Sequence, residues 1–180
     1  MRTARTGLVC ALALAFSALA PLQAYAAEDA MKRDARERAP AALLGVWEAD
    51  IAASTYSTPP RQHLRSFFYT AEGKLMVSFL TLGADGRQSA GHWAVQLDGT
   101  PGLEYFAANG STPYAEIRLT PVDAQTFTVT NTYAGEQAST ASYVLSNEGQ
   151  TLTITRTPKS GNRSVVVYHR WGLGQSTSAN

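Results

Sequence analysis

Ten short segments rich in β-branched and aromatic residues follow one another along this chain, and they constrain its fold more than any other feature. Most neighbours are separated by only three to six residues containing Gly, Pro, Asn or Asp, as at Gly83-Ala84-Asp85-Gly86. Short connections of this kind join antiparallel strands, because a parallel pair needs a crossover of about a dozen residues. The segments, which predict an all-β protein, are 43–49, 64–70, 74–82, 88–97, 103–107, 114–119, 125–133, 137–145, 150–157 and 164–171.

Apolar and polar residues alternate within these segments, which predicts a sheet with one dry and one wet face. In 74–82, Leu75, Val77 and Phe79 share a face, and in 125–133 threonine occupies every second position from 126 to 132. Such a sheet covers its apolar face by forming a sandwich or by closing on itself. Consecutive hairpins favour an antiparallel up-and-down barrel of 8 to 10 strands. The threonine-rich face argues against a membrane-spanning barrel.

The two ends of the chain differ from this pattern. Arg2 and Arg5, the apolar run from 7 to 19 and Ala24-Tyr25-Ala26 predict a signal peptide over 1–26, cleaved after Ala26. Residues 27–41 are predicted to be a charged leader, either a frayed helix or disordered, and 173–180 a flexible tail. Residues 42–172 then form a single barrel domain, and the protein is expected to be periplasmic or secreted.

Charge and cysteine content exclude several classes of function. Cys10 lies within the predicted signal peptide, so the mature chain of 154 residues has no disulfide and no cysteine ligand. Removal of Arg2 and Arg5 leaves 13 basic against 14 acidic residues. This balance argues against nucleic acid as a partner, and no stretch after the signal peptide suits membrane insertion.

The sequence Gly45-Val46-Trp47, followed by Asp50, Ser54, Tyr56-Ser57 and Pro59-Pro60, resembles the opening of small exported bacterial proteins with a lipocalin-like, calycin-type β-barrel. The resemblance extends from Leu43 to Trp171. It implies that Trp47 plugs one end of the barrel and that Arg170 packs across its indole. Ten segments exceed the eight strands of a lipocalin, so either the barrel has ten strands, as in fatty-acid-binding proteins, or 103–107 is a loop.

The sequence contains none of the common motifs for catalysis or metal binding, so no catalytic residue, metal ligand or cofactor is assigned. His63, His92 and His169 are far apart in sequence. His92 and His169 are the better candidates for a general base because they lie on predicted strands. If Arg170 points inward, however, His169 points outward.

Acidic and tyrosine side chains offer weaker signals. Glu104, Glu116 and Arg118 are interpreted as surface charges on neighbouring strands. Six tyrosines on or near strands either line a pocket or serve as ordinary sheet residues; they are Tyr69, Tyr105, Tyr114, Tyr133, Tyr143 and Tyr168.

The sequence is compatible with three functions. The first is a monomeric binding protein that holds a small hydrophobic or amphipathic molecule in its barrel. The second is an isomerase or hydrolase in the same cavity, using His92 with a tyrosine or glutamate. The third is a filled barrel acting in the envelope or in adhesion. The residues expected to contact a ligand are Phe79, Trp93, Val95, Tyr133 and Tyr143.

Overall fold

The computed structural model describes residues 39–146 and 148–172. The predicted signal peptide, most of the charged leader and the predicted tail at 173–180 lie outside the described residues. None of the helices in the described ranges has the length and apolar character required to cross a membrane.

The chain forms a closed barrel of ten antiparallel strands in which each strand pairs with its sequence neighbours and β1 pairs with β10. This architecture confirms the predicted fold class, and the segment near 103–107 is a strand. The strands are β1 Gly45–Asp50, β2 Gln62–Tyr69, β3 Leu75–Leu82, β4 Gln88–Val95, β5 Gly102–Phe106, β6 Pro113–Pro121, β7 Thr126–Tyr133, β8 Glu136–Leu145, β9 Thr151–Pro158 and β10 Ser164–Arg170.

Alternation along each strand sorts its side chains between the inside and the outside of the barrel. Leu75 and Val77 are fully buried inside, whereas Met76 between them faces outward. The threonines of β7 face outward, and Phe127 and Val129 face the core. A shift of one residue would exchange the two sets, so the apolar pattern itself specifies the register.

A short 3-10 helix, Ala41–Leu43, and Trp47 close one end of the barrel. Trp47 is fully buried, and its Nε1 donates a hydrogen bond to the Leu43 carbonyl at 2.9 Å. The Arg170 guanidinium carbon lies 4.7 Å from the Trp47 ring centroid, and its nitrogens donate to the carbonyls of Gly149, Leu44 and Ala42. Arg170 therefore covers the indole and satisfies carbonyls left free where chain segments end.

A glycine is required at position 45 because the Arg170 guanidinium lies close to its backbone. Its φ is +120°, and a Cβ at this position would lie 3.1 Å from Arg170 Nη1. A side chain would be strained by the backbone and crowded by the guanidinium.

The apolar core is concentrated in the half of the barrel next to Trp47, which we call the closed half. Fully buried side chains fill it, and they include Leu43, Leu75, Leu97, Leu119, Phe127 and Leu152. In the opposite, open half, inward-facing side chains remain partly accessible, among them His63, Arg65, Phe79, Asn131 and Val166. The space inside the barrel therefore lies toward the loops at 51–61, 83–87, 107–112, 134–135 and 159–163.

Candidate functional site

Two adjacent rows of inward-facing residues form the floor of the open half. Phe67, Val77, Trp93 and Glu104 are neighbours across β2 to β5 and are all buried. One step toward the open end lies the row of Arg65, Phe79, Gly91 and Phe106. An arginine thus stands directly above a floor of three apolar residues and one buried glutamate.

Arg65 is held against aromatic rings inside the barrel. Its Nη1 donates to the Tyr143 hydroxyl at 2.8 Å, and Tyr168 lies close enough to affect its pKa. The guanidinium carbon lies 5.6 Å from the Phe79 ring centroid and 5.7 Å from that of Tyr143. Its Nε is buried and has no hydrogen-bond partner among the described residues. A buried donor without a partner costs about 1 to 3 kcal/mol, so this atom marks a place where an acceptor would be favourable.

The Arg65 guanidinium stays charged despite its surroundings. Burial alone would lower its pKa, but Tyr143, Tyr168 and Glu104 hold the pKa above the usual range. Burial raises the pKa of both tyrosines, and the nearby guanidinium offsets this only in part. The arginine is therefore a cation that donates a hydrogen bond to the neutral phenol of Tyr143.

Glu104 lies inside the barrel, which corrects the interpretation of this residue as a surface charge. It is 7% exposed and pairs in register with the buried Ala115, while Glu116 faces outward. Burial raises its pKa, and Arg65 and Arg156 lower it less strongly. Arg156 is exposed, and its Nε donates to Ser139 Oγ at 3.1 Å. Outward-facing Arg118 donates to the Gly99 carbonyl at 3.1 Å.

His63 connects the interior with the loop between β1 and β2. Its Nδ1 lies 2.9 Å from the Tyr56 hydroxyl, and its Nε2 lies 3.3 Å from the Tyr168 hydroxyl. Burial, together with the charge of Arg65, lowers the pKa of His63 to about 4. The ring is therefore neutral at pH 7, and a chain of polar contacts runs from Tyr56 through His63 and Tyr168 to Arg65.

A pocket of about 500 Å³ opens between the β1–β2 loop and the β3–β4 loop. Its walls include Tyr56, Pro60, Thr81 and Asp85, and His63 lines its inner side. Arg65 is two residues further along β2 on the same face, which places it roughly 7 Å deeper. Arg65 itself does not line this pocket, which lies at the mouth of the barrel.

Gly91 shapes the space beside Phe79. A Cβ at Gly91 would lie 2.4 Å from Phe79 Cζ and 2.5 Å from the Tyr105 carbonyl oxygen. The absence of a side chain lets the Phe79 ring lie over the β4 backbone. The same ring makes an edge contact with Phe106 at 5.3 Å between centroids.

The five residues expected to contact a ligand occupy four depths. Phe79 and Tyr143 contact Arg65. Trp93 belongs to the floor, and Val95 is one step deeper in the closed half, with exposures of 2% and 1%. Tyr133 is exposed at the open rim, where it contacts Tyr114, and Tyr114 contacts Phe106.

Two of the three histidines lie outside the barrel, which corrects the choice of His92 as a base in the cavity. His92 stacks on Tyr105 on the outer surface. His169 also faces outward, as expected if Arg170 points in, and its Nε2 lies 3.6 Å from Asp50 Oδ2. Within residues 39–146 and 148–172, His, Cys, Asp and Glu side chains form no group of three that could hold a metal ion.

Sequence reasoning missed Arg65, His63, Glu104 and Tyr56 as members of one site. Period-2 alternation places Arg65 and His63 on the face of β2 that carries Phe67, so a signal for the two basic residues was present. Tyr56 lies in a loop, and nothing in its neighbourhood indicates that it reaches His63.

A second concave region lies on the outside of the barrel. This outer groove of about 590 Å³ is bordered by outward-facing residues such as Leu64, Met76 and Leu80, and also by the row of Arg65, Phe79, Gly91 and Phe106. The exterior of β7 to β9, by contrast, carries mainly threonine and serine.

No protein-family model and no curated protein matches this sequence. Among solved structures, the crystal structure of the wild-type fluorescent protein UnaG is similar to this chain. The match has 12% sequence identity and a TM-score of 0.49, and it covers 71% of this chain and 96% of the other.

Proposed function

We propose that this protein is exported and binds a small, mostly apolar or amphipathic molecule in the open half of its barrel, as a monomer. The observation that carries the proposal is the pocket beside Tyr56 and His63 at the mouth of the barrel. Inward-facing side chains of the open half, among them Arg65, Phe79 and Val166, also remain partly accessible. Ligand pockets commonly enclose about 300 to 1,000 Å³, and this pocket is within that range.

The residues around the open half suit an amphipathic molecule. Phe79, Phe106 and Val166 offer apolar contact, and Trp93 closes the space from below. Polar contact is concentrated at Arg65. A ligand would place its apolar body against the rings and its polar end near the guanidinium, while Tyr133 lies at the rim where it enters.

The two alternative functions find less support. A cavity enzyme could not use His92, which faces outward, and would depend on His63 between two phenols. A completely filled barrel is disfavoured because the side chains of Arg65 and Phe79 remain partly accessible.

A pair of cavity-filling variants tests the proposed site. The mature chain is titrated with a polarity-sensitive fluorescent amphiphile, and molecules that co-purify from its own host are identified by native mass spectrometry. Val166→Trp fills the open half and should abolish binding. Leu80→Trp fills the outer groove and should leave binding unchanged; the reverse result would place the ligand outside the barrel and refute the proposal.

Export is tested on the same material. The intact mass of the protein purified from its host should correspond to a chain that begins at Ala27. A full-length mass together with recovery from the cytoplasmic fraction would contradict export.

A further inference from the structure

We infer that Asn109 is a site of spontaneous covalent modification in the folded protein, at which the side-chain amide is lost as ammonia and replaced by a carboxylate. The inference goes beyond the proposed function and does not depend on it. It rests on the chemistry of the pair Asn109-Gly110 and on the way in which the loop between β5 and β6 holds this pair.

The reaction requires only water as a co-reactant. The backbone nitrogen of Gly110 gives up its proton to solvent and attacks the side-chain carbonyl carbon of Asn109. The new C–N bond closes a succinimide ring, while the bond from that carbon to the side-chain nitrogen breaks and ammonia leaves. Water then opens the ring at either carbonyl and yields aspartate or isoaspartate, in which the main chain runs through the former side-chain carbon. The net change converts an amide and water into a carboxylate and ammonium.

The residue that follows Asn109 makes ring closure easy. A Cβ on the following residue stands beside the attacking nitrogen and obstructs its approach, and glycine has none. The turn itself requires this glycine, because Gly110 has a φ of 59° and a ψ of −127°, a conformation that other residues rarely adopt. The local fold therefore maintains the most reactive neighbour that an asparagine can have.

The attacking nitrogen is held by a weak hydrogen bond. Gly110 N donates to the Ala107 carbonyl at 3.4 Å, which is longer than the usual range of about 2.7 to 3.2 Å. This bond closes a single-turn 3-10 helix, Ala107–Asn109, and hydrogen-bond geometry in such helices is poor. A small local opening of the turn therefore releases the nitrogen.

The Asn109 side chain is accessible to water. It is exposed, and within residues 39–146 and 148–172 no hydrogen bond holds its amide. Its backbone carbonyl accepts from Thr112 N at 3.2 Å. Residues 107–112 are all exposed, so the loop can open without disturbing the core of the barrel.

Two other asparagines lack one or both of these features. Asn162 is also exposed in a loop, but Arg163 follows it and supplies the Cβ that obstructs ring closure. Asn131 lies within β7, and the residue after it, Thr132, is β-branched and pairs with Gln137 of β8. Both positions are internal controls for the reaction at Asn109.

The modification alters the open rim of the barrel. The loop joins Phe106 to the start of β6, where Tyr114 makes an edge contact with the Phe106 ring at 4.9 Å between centroids. A carboxylate at position 109 adds a negative charge close to this aromatic pair. Isoaspartate also adds a backbone atom to the loop. Aged protein is therefore a mixture of amide, aspartate and isoaspartate forms that differ in charge and in loop length.

Ageing of the purified protein at pH 7.4 and 37 °C tests the inference. Peptide mapping by mass spectrometry should show the mass increase that accompanies replacement of NH2 by OH, confined to the peptide that contains Asn109. Protein isoaspartate methyltransferase should label the same peptide. The peptides that contain Asn131 and Asn162 should remain unchanged over the same period. Absence of the mass increase, or its appearance first at either of these asparagines, would overturn the inference.

The rate of the reaction tests whether the folded loop leaves the pair free to react. A synthetic peptide with the sequence of residues 106–113 gives the rate without any tertiary structure. The folded protein should react within about tenfold of this rate, which corresponds to an opening free energy of no more than about 1.4 kcal/mol. A rate in the folded protein more than about tenfold below that of the peptide would show that the native loop protects Asn109.

A pair of variants assigns the reaction to this residue. Asn109→Gln keeps an amide but must close a larger ring, so the mass increase at position 109 should disappear. Asn162→Gln is the matched control in another exposed loop and should age as the wild type does. The same mass increase in aged Asn109→Gln would overturn the assignment. Both positions are exposed, so neither substitution disturbs the core.

Discussion

Arg65 on β2 donates a hydrogen bond to the hydroxyl of Tyr143 on β8, joining residues 78 positions apart across the inside of the barrel. Four strand steps separate β2 from β8 by the shorter path around the barrel. The pair therefore exists only because the sheet closes, and it places a cation where a core residue would otherwise pack. An inward-facing cation of this kind lowers stability, and such residues are typical of binding sites.

Replacement of Arg65 with methionine should stabilise the ligand-free protein. Methionine has a similar length and no charge to desolvate, and exchange of buried charges for apolar groups is often neutral or stabilising. We expect a gain of about 1 kcal/mol, or roughly 3 °C in Tm for a domain of this size. Thermal unfolding followed by circular dichroism measures it. A loss of stability greater than about 1 kcal/mol would show that Arg65 is primarily structural.

Truncation of the barrel plug should be strongly destabilising. Trp47→Ala removes a fully buried indole and its hydrogen bond to the Leu43 carbonyl. It also removes the ring against which the Arg170 guanidinium packs. We therefore expect the free energy of unfolding to fall by about 3 to 5 kcal/mol. Trp171→Ala is a matched control because Trp171 is 57% exposed, and it should change stability by less than about 0.5 kcal/mol. Urea denaturation of both variants makes the comparison, and similar losses would contradict the assignment of Trp47 as the plug.

Substitution of Gly45 tests the close approach of Arg170. Gly45→Ala combines a strained φ of +120° with a contact at 3.1 Å, and we expect a loss of about 1 to 3 kcal/mol. Gly99 also has a positive φ, but a Cβ there meets nothing within 4 Å. The stability difference between Gly45→Ala and Gly99→Ala therefore separates crowding from backbone strain. Equal losses of stability in the two variants would mean that Arg170 shifts away from the new Cβ without an energetic penalty.

Stability should fall as the pH decreases from about 6.5 to about 4 because of His63. In the unfolded chain this residue binds a proton near pH 6.5, whereas in the folded protein its pKa is about 4. Folding therefore opposes protonation of His63. The contribution of the neutral ring to the free energy of unfolding is fully present above pH 6.5 and is lost by about pH 4. The loss is roughly 2 to 3 kcal/mol, since the ring is only partly buried.

His63→Gln provides the reference for this measurement because glutamine does not titrate. Urea unfolding of both proteins at several pH values should show an excess loss in the wild type over this interval. Glu104 acts in the opposite sense, because its raised pKa favours the folded protein at low pH, but it is present in both proteins and cancels in the difference. If the stability of the two proteins changed with pH in the same way, His63 would not be held neutral in the folded protein.

Local sequence pattern predicts most of the fold. Alternation in β3 and β7 identifies the buried faces because the side-chain period of a strand is two and only one face meets the core. Short connections containing glycine predict the hairpins. The exception is Tyr133, which strict alternation places on the same face as Phe127 and Val129, although it is exposed beyond a register shift at Asn131 and Thr132.

The sequence by itself determined the antiparallel order of the strands and most of their inner faces, since each depends on residues that are close together in the chain. The structure decided that the segment near 103–107 is a strand, which makes the number ten. Tertiary structure alone decided which inward-facing residues meet. Closure brings Arg65 to Tyr143, Tyr168 and Glu104, and packing of a loop brings Tyr56 to His63. These contacts depend on strand register, barrel closure and loop path, which arise from the summed packing of the whole chain and leave no signature in any single segment.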